Sequence, residues 1–223
     1  MDKKLLIQAL TKFFAGLFLV AVLVFLPAGT LDYWHGWLFL GVLFVPMTVL
    51  GIVLLIKSPD LLRKRLQTKE KEGAQRKVVA LSGLMFLVGF LLCGLNVRFG
   101  WFLLPKWAAL FASAVFLIGY GMYGEVLREN AYLARTVEVQ EGQKLIDTGL
   151  YGVVRHPMYA ATILMFLSMP LILGSVISFV IFLAYPLILA KRIRNEEEVL
   201  RGGLAGYPEY CNRVKYRMIP YLW

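Results

Sequence analysis

The stretch that decides the fold is MYAATILMFLSMPLILGSVISFVIFLAYPLILA, residues 158–190. It contains no Asp, Glu, Lys or Arg over its 33 residues. One straight helix of that length would run about 50 Å, whereas the hydrocarbon core of a bilayer is about 30 Å thick. Pro170 and the pair Gly174-Ser175 interrupt the apolar run. We therefore predict a helical hairpin that turns near residues 173–175, and the alternative is a single long, tilted and kinked helix.

Four further stretches have the length and composition of membrane-spanning helices. A span needs about 20 mostly apolar residues, and lipid leaves no partner for a free backbone group, so each stretch should be helical. The first reaches this length if residues 5–10 join it and Lys12 extends to the membrane surface. The uncharged stretches are 13–28, 36–56, 78–97 and 107–124. The expected fold class is all-α: a polytopic integral membrane protein with four transmembrane helices, a C-terminal helical hairpin and a cytoplasmic amphipathic tail.

The composition agrees with a membrane protein. Apolar residues make up 59% of the 223 residues and charged residues only 17%, whereas soluble domains carry about 25% charged residues. We expect a single membrane domain, in which residues 1–124 form the four N-terminal spans and residues 125–223 form the cofactor-binding and catalytic region around the hairpin 158–190. Cys93 and Cys211 are isolated in sequence and predict neither a disulfide framework nor a metal site.

The net charge of +10 would suggest a nucleic-acid partner in a soluble protein. Here the charges are distributed by topology instead. With the N-terminus inside, 22 of the 24 Lys and Arg residues lie on one face, eight of them in the loop 57–77. Only Arg98 and Lys106 lie on the other face. This bias predicts that both termini and the active site are cytoplasmic. We expect membrane lipid around the spans, no nucleic-acid partner and no obligate protein partner.

Two polar segments flank the hairpin, residues 138–159 and 191–223. They should meet on the inner face, because a hairpin returns the chain to the side on which it started. Pro157 suits the first position of a helix. His156 would then lie at a helix N-terminus, where free backbone N–H groups favour an anion. The alternative is an ordinary helix start with interfacial His and Tyr side chains.

Three adjacent acidic residues, Glu196, Glu197 and Glu198, follow the hairpin. Arg192 lies four residues before Glu196, so the two share a helix face. The positive-inside rule concerns Lys and Arg and gives these carboxylates no topological role. A carboxylate in this place can bind a cation or the paired hydroxyls of a ribose. A solvated, salt-bridged helix is the alternative.

One joint pattern covers both polar segments. Its elements are Gly149-x-Tyr151, Arg155-His156-Pro157-x-Tyr159, Arg192-x-x-x-Glu196-Glu197-x-x-Leu200, Tyr207-x-x-Tyr210 and Ile219-Pro220. Together they resemble the isoprenylcysteine carboxyl methyltransferase family. That family belongs to a wider group of small membrane methyltransferases, which includes the phospholipid methyltransferases. The resemblance covers roughly Asn130 to the C-terminus.

The resemblance implies a methyltransferase that uses S-adenosylmethionine. Its substrate would be a lipophilic molecule or lipidated chain that enters from the bilayer, and the reaction most like it is isoprenylcysteine carboxyl O-methylation. The resemblance implies Arg192 as the catalytic residue near the substrate. The cofactor-binding residues that it implies are Gln143, Lys144, Leu145, Ile146, Tyr151, His156, Pro157, Met158, Tyr159, Glu196 and Glu197. The chain departs from the family at Gln143, where His is frequent.

The sequence leaves the methyl acceptor open. A carboxylate nucleophile needs no general base, whereas an amine or a thiol must lose a proton. Phospholipid N-methylation and thiol S-methylation are therefore alternatives within the same group. An NADPH-dependent membrane reductase of the sterol type is another, although segment 138–159 offers only Lys144 and Arg155 for its phosphates. The last alternative function is that of a non-enzymatic scaffold, which would bind anionic lipid through the loop 57–77.

Overall fold

The computed structural model describes residues 2–66, 73–133 and 139–223. Lys69, Lys71 and Arg135, which contribute to the predicted charge bias, lie outside these ranges. The described part is almost entirely helical and contains no β-strand beyond one isolated bridge. A 3₁₀ turn covers Gly149–Gly152. The helices are α1 (Lys3–Ala28), α2 (Trp34–Lys57), α3 (Pro59–Leu66), α4 (Gly73–Arg98), α5 (Lys106–Glu129), α6 (Pro157–Ile172), α7 (Val176–Phe182), α8 (Tyr185–Gly203) and α9 (Tyr207–Arg213).

Five helical segments among the described residues are long and apolar enough to cross a membrane. Four of them correspond to α1, α2, α4 and α5. The fifth is Val176–Gly203, which combines α7 and α8. Helix α6 is apolar but has only 16 residues. The prediction of an all-α polytopic membrane protein is therefore confirmed.

The apolar run 158–190 turns where the sequence predicts. Helix α6 ends at Ile172, and Gly174 has a φ of 78°, in the left-handed region that glycine adopts without a steric penalty. Ser175 then caps α7 by accepting a hydrogen bond from Ser178 N at 3.2 Å. The hairpin is confirmed, and the alternative of one long kinked helix is wrong.

The turn of the hairpin reaches the loops at the end of the bundle opposite the N-terminus. Leu104 N donates to Gly174 O at 2.9 Å. The buried hydroxyl of Tyr33 donates to Leu173 O at 2.5 Å. These contacts attach the turn to the α4–α5 loop and to the start of α2. Both open ends of the hairpin consequently lie at the end of the bundle that carries the N-terminus.

Two boundaries differ from the prediction. Helix α8 continues to Gly203, although the apolar run stops at Ala190, because a charged side chain ends a membrane segment without ending a helix. The predicted loop 57–77 contains the short helix α3, whose Leu61 and Leu62 are buried. Eight residues are too few to show a helical repeat of apolar residues. The charged residues of α3 are also typical of a connecting loop, so the sequence did not predict this helix.

Helix α4 packs against α1 on one side and against both arms of the hairpin on the other. The ring of Phe86 lies 4.8 Å from that of Phe166 in α6 and 5.3 Å from that of Phe182 in α7. Gly94 faces α1 so closely that a Cβ there would lie 2.7 Å from Val24 O and 2.9 Å from Ala28 N.

We expect Gly94→Ala to lower the thermal unfolding midpoint in detergent. The new methyl group would press on the backbone of α1, and such overpacking costs about 1–3 kcal/mol. Gly83→Ala in the same helix is the matched control, because nothing lies within 4 Å of the added Cβ. An equal midpoint for the two variants would contradict the close packing of α1 on α4.

Candidate active site

The two open ends of the hairpin meet, as the sequence predicts. Helix α6 begins at Pro157, with His156 as its N-cap residue. Helix α8 returns Arg192 and Glu196 to the same place. The side chain of Tyr159, one turn into α6, joins them: its hydroxyl accepts a hydrogen bond from Arg192 Nε at 2.8 Å and donates to Glu196 Oε2. A tyrosine hydroxyl thus links the predicted catalytic arginine to the predicted cofactor-binding carboxylate.

Glu197 is buried, with 3% of its surface exposed, and is surrounded by basic side chains. Arg155 Nε donates to its Oε1 at 2.9 Å, and His156 Nε2 lies 3.3 Å from the same oxygen. Arg217 Nε donates to Oε2 at 3.0 Å. Because a buried carboxylate is stable only with such partners, this cluster fixes α8 against the start of α6.

Arg155 also attaches the C-terminal tail to the start of α6. Its Nη1 donates to Val214 O at 2.7 Å and to Lys215 O at 2.9 Å. The backbone pairs as well: Arg155 N donates to Tyr216 O at 2.9 Å, and His156 N donates to Arg217 O at 2.7 Å. The tail therefore lies along residues 155–156 and closes one side of the site.

The 3₁₀ turn before α6 is held from two directions. Tyr210 of α9 donates from its hydroxyl to Tyr151 O at 2.7 Å. Asn130, just after α5, donates from Nδ2 to the Tyr151 hydroxyl at 3.0 Å. Burial raises the pKa of Tyr151 to about 12, although the Asn130 bond and the charge of Arg65 act in the opposite direction. Tyr151 is therefore a neutral hydroxyl at physiological pH.

An open cavity lies between α6, α8, α9 and the segment before the 3₁₀ turn. All the predicted site residues but one line it: Gln143, Lys144, Leu145, Ile146, Tyr151, His156, Pro157, Met158, Tyr159, Arg192 and Glu196. The exception is Glu197, which is not among the lining residues and instead binds Arg155, His156 and Arg217. No group of His, Cys, Asp and Glu side chains suited to a metal ion occurs in the described part of the chain.

Sequence reasoning missed several lining residues, among them Asn130, Tyr132, Arg155, Leu204 and Tyr207. Tyr207 is the most informative, because its hydroxyl is buried and has no hydrogen-bond partner among the described residues. Burial raises its pKa strongly, so it is a neutral hydrogen-bond donor. The motif Tyr207-x-x-Tyr210 was visible in the sequence, but only the fold brings α9 to the cavity.

Comparison with known proteins finds a family match in the central part of the chain. Residues 110–202 match the model of the isoprenylcysteine carboxyl methyltransferase (ICMT) family. The ICMT match begins inside α5, earlier than the sequence resemblance from Asn130, and it ends before Tyr207 and Arg217. It contains the whole hairpin, together with Arg192, Glu196 and Glu197.

Two individual proteins resemble the chain. The mouse Delta(14)-sterol reductase TM7SF2 is 34% identical over 91 residues, which is 40% of this chain. The chain spans only 22% of that curated relative's length. A solved structure of the eukaryotic intramembrane Ras methyltransferase ICMT has a similar fold, with a TM-score of 0.59 and 19% identity over 96% of this chain and 77% of the other. The ICMT fold therefore extends over nearly the whole molecule.

We expect Glu197→Ala to destabilise the protein severely, by about 3–5 kcal/mol, because it leaves the buried Arg155 without its carboxylate partner. Thermal or denaturant unfolding in detergent measures the loss. The matched control is Glu198→Ala, since Glu198 is exposed on the same helix and its loss should change stability by less than about 0.5 kcal/mol. Equal stability of the two variants would show that the Glu197 cluster does not hold the site together.

Proposed function

We propose that this chain is an integral-membrane, S-adenosylmethionine-dependent methyltransferase that acts on a lipophilic acceptor, most like isoprenylcysteine carboxyl O-methylation. The observation that carries the proposal is the cavity at the open ends of the hairpin, where Tyr159 links Arg192 to Glu196. The ICMT match over residues 110–202 and the fold shared with a Ras methyltransferase support it.

The residues of the cavity fit such a cofactor. Glu196 offers carboxylate oxygens to the ribose hydroxyls. Leu145 and Ile146, together with Leu204 directly after α8, offer an apolar surface to the adenine. The unpartnered hydroxyl of Tyr207 offers a buried donor that the described protein does not use itself. Tyr207 borders the cavity, and a polar ligand group that reached its buried hydroxyl would satisfy that donor.

When bound, S-adenosylmethionine would supply an electrophilic methyl group carried on a sulfonium. The protein's task is alignment, since an in-line displacement depends on the positions of the reacting atoms. Arg192 would orient an anionic acceptor, because a planar guanidinium matches a carboxylate. Tyr159 holds the Arg192 guanidinium in place through its hydroxyl. Exclusion of water by the surrounding apolar walls would favour the reaction of opposite charges.

A reductase is the second candidate, favoured by the 34% identity to a sterol reductase. The phosphates of NADPH need several cations. Among the described lining residues the Lys and Arg side chains are Lys144, Arg155 and Arg192. The guanidinium of Arg155 is bound to Glu197 and to two tail carbonyls, so it is not directed at a ligand. The lining itself therefore leaves two cations, Lys144 and Arg192, for the phosphates of NADPH, and favours S-adenosylmethionine.

We also propose that the cavity opens to the cytoplasm, as the distribution of Lys and Arg predicts. The test is labelling of single introduced cysteines with a membrane-impermeant maleimide in intact cells. Asp32→Cys, in the exposed α1–α2 loop, should react from outside. Glu141→Cys, in the exposed segment before the 3₁₀ turn, should react only after permeabilisation. The native Cys93 and Cys211 are buried and give a low background. The reverse pattern would refute the orientation.

Calorimetric titration of the purified protein with S-adenosylhomocysteine tests the proposed cofactor. We expect saturable binding by the wild type that NADPH does not displace. Binding of NADPH with no binding of S-adenosylhomocysteine would overturn the proposal in favour of the reductase.

The same titration tests Tyr207. We expect Tyr207→Phe to weaken S-adenosylhomocysteine binding about two- to tenfold, the range for one lost hydrogen bond, without loss of stability. Tyr210→Phe is the matched control, because its hydroxyl is already bonded to Tyr151 O and its loss should lower stability. Unchanged affinity in Tyr207→Phe would remove Tyr207 from the cofactor site.

A further inference from the structure

Helix α3 carries three consecutive cations, Arg63, Lys64 and Arg65, and they point in different directions. Arg63 Nη2 binds Asp2 Oδ2 at 2.5 Å, and Arg63 Nη1 binds Asp60 Oδ1 at 3.2 Å. Half of the Arg63 side chain is exposed. Arg63 therefore faces the solvent side of α3 and ties this helix to the start of α1.

Arg65 points the other way, towards α5 and the start of α6. Its Nη2 donates to the Tyr123 hydroxyl at 2.5 Å, and its guanidinium carbon lies 5.5 Å from the centre of that ring. Its Nη1 lies 4.0 Å from Met158 Sδ. Met158 lines the cavity and is followed by Tyr159, which binds Arg192. Two arginines from distant parts of the chain thus meet consecutive residues of α6.

Lys64 contacts a neighbouring part of the same rim. Its Nζ donates to Ala131 O at 3.3 Å and lies 5.5 Å from the centre of the Tyr132 ring. Tyr132 is itself a lining residue. Lys64 and Arg65 therefore contact residues of the cavity from the side of α3 without lining the cavity themselves. The charge of Arg65 lowers the pKa of Tyr151, against the larger effect of burial.

The positive-inside rule explains why α3 is basic but does not explain these directions. A cation serves topology equally well when it faces water, as Arg63 does. Folding Lys64 and Arg65 onto these neighbours costs side-chain entropy, which their hydrogen bonds and ring contacts offset. Both residues lie outside the ICMT match, which starts at residue 110.

We propose that Arg65, assisted by Lys64, is a positioning residue for the methyl acceptor and attracts an anionic oxygen group at the head of a lipid chain. This inference rests on the proposed methyltransferase function. Arg65, beside Met158, and Arg192, beside Tyr159, would then act on the same acceptor. The anion is either the carboxylate of a lipidated cysteine or the phosphodiester of a phospholipid, and these share the chemistry that a guanidinium recognises.

The test compares Arg65→Gln, Arg65→Lys and Arg63→Gln in methyl-transfer assays with two acceptors. One is N-acetyl-S-farnesylcysteine, and the other is phosphatidylethanolamine in vesicles. Arg63→Gln is the matched control: it removes the same charge from the same helix without touching the cavity. The neutral carboxamide of the farnesylcysteine serves as a competitive inhibitor that lacks the anion. Thermal midpoints and S-adenosylhomocysteine affinity are measured for each variant.

We expect Arg65→Gln to raise the KM of one acceptor roughly tenfold, the usual scale for a lost charged hydrogen bond. Inhibition by the carboxamide and binding of S-adenosylhomocysteine should be unchanged. Arg65→Lys should recover part of the loss, and Arg63→Gln should behave as the wild type. If Arg65→Gln raises the KM of N-acetyl-S-farnesylcysteine, the anion is its carboxylate. If it raises the KM of phosphatidylethanolamine, the anion is the phosphodiester.

Two results would overturn the inference while leaving the methyltransferase function intact. One is equal kinetics for Arg65→Gln and Arg63→Gln. The other is equal weakening of the acid and of its carboxamide, which would indicate a structural role only. A wild type that binds no S-adenosylhomocysteine and methylates neither acceptor would instead refute the proposed function, and the inference with it.

Discussion

The cavity depends on the contacts of one buried carboxylate, that of Glu197. It belongs to α8, whereas its partners Arg155 and His156 precede α6 and Arg217 lies in the tail. A charge in this setting is stable only when all its partners are present. The three segments can meet only after the hairpin has returned α8 beside the start of α6. The walls of the cavity are therefore a consequence of the hairpin turn at Gly174, at the far end of the bundle.

Two adjacent glutamates serve different purposes because they lie on a helix. Consecutive residues of an α-helix point about 100° apart, so Glu196 faces the cavity and Glu197 faces the basic cluster behind it. His156 lies between them, with Nε2 3.3 Å from Glu197 Oε1 and Nδ1 3.9 Å from Glu196 Oε1. The cluster that supports the site thus continues directly into the surface that would hold a ligand.

The sequence predicts the parts of this molecule that depend on local rules. Apolar length locates the spans, Gly174 locates the turn, and Pro157 locates the start of α6, because each reflects a property of its own segment. Eleven of the twelve site residues that the resemblance implies line the cavity. Glu197 was grouped with Glu196 as a cofactor contact because a linear motif does not say which way a side chain points. Arg155 and Tyr207 were missed because their roles arise from long-range contacts with the tail and with α8.

Part of the cavity lies inside the ICMT match and part lies outside it. This division indicates how proteins that share the hairpin can bind different ligands. The ICMT match contains the hairpin, with Tyr159, Arg192 and Glu196, and 91 residues of the chain are 34% identical to a sterol reductase. The rim formed by α3 and the wall formed by Tyr207 lie outside that match. A hairpin of this kind can present one polar surface, while the segments that cover it decide which ligand fits. Under the proposed function, acceptor choice should therefore depend on α3 more than on the hairpin itself, since the cations of α3 lie outside the family match.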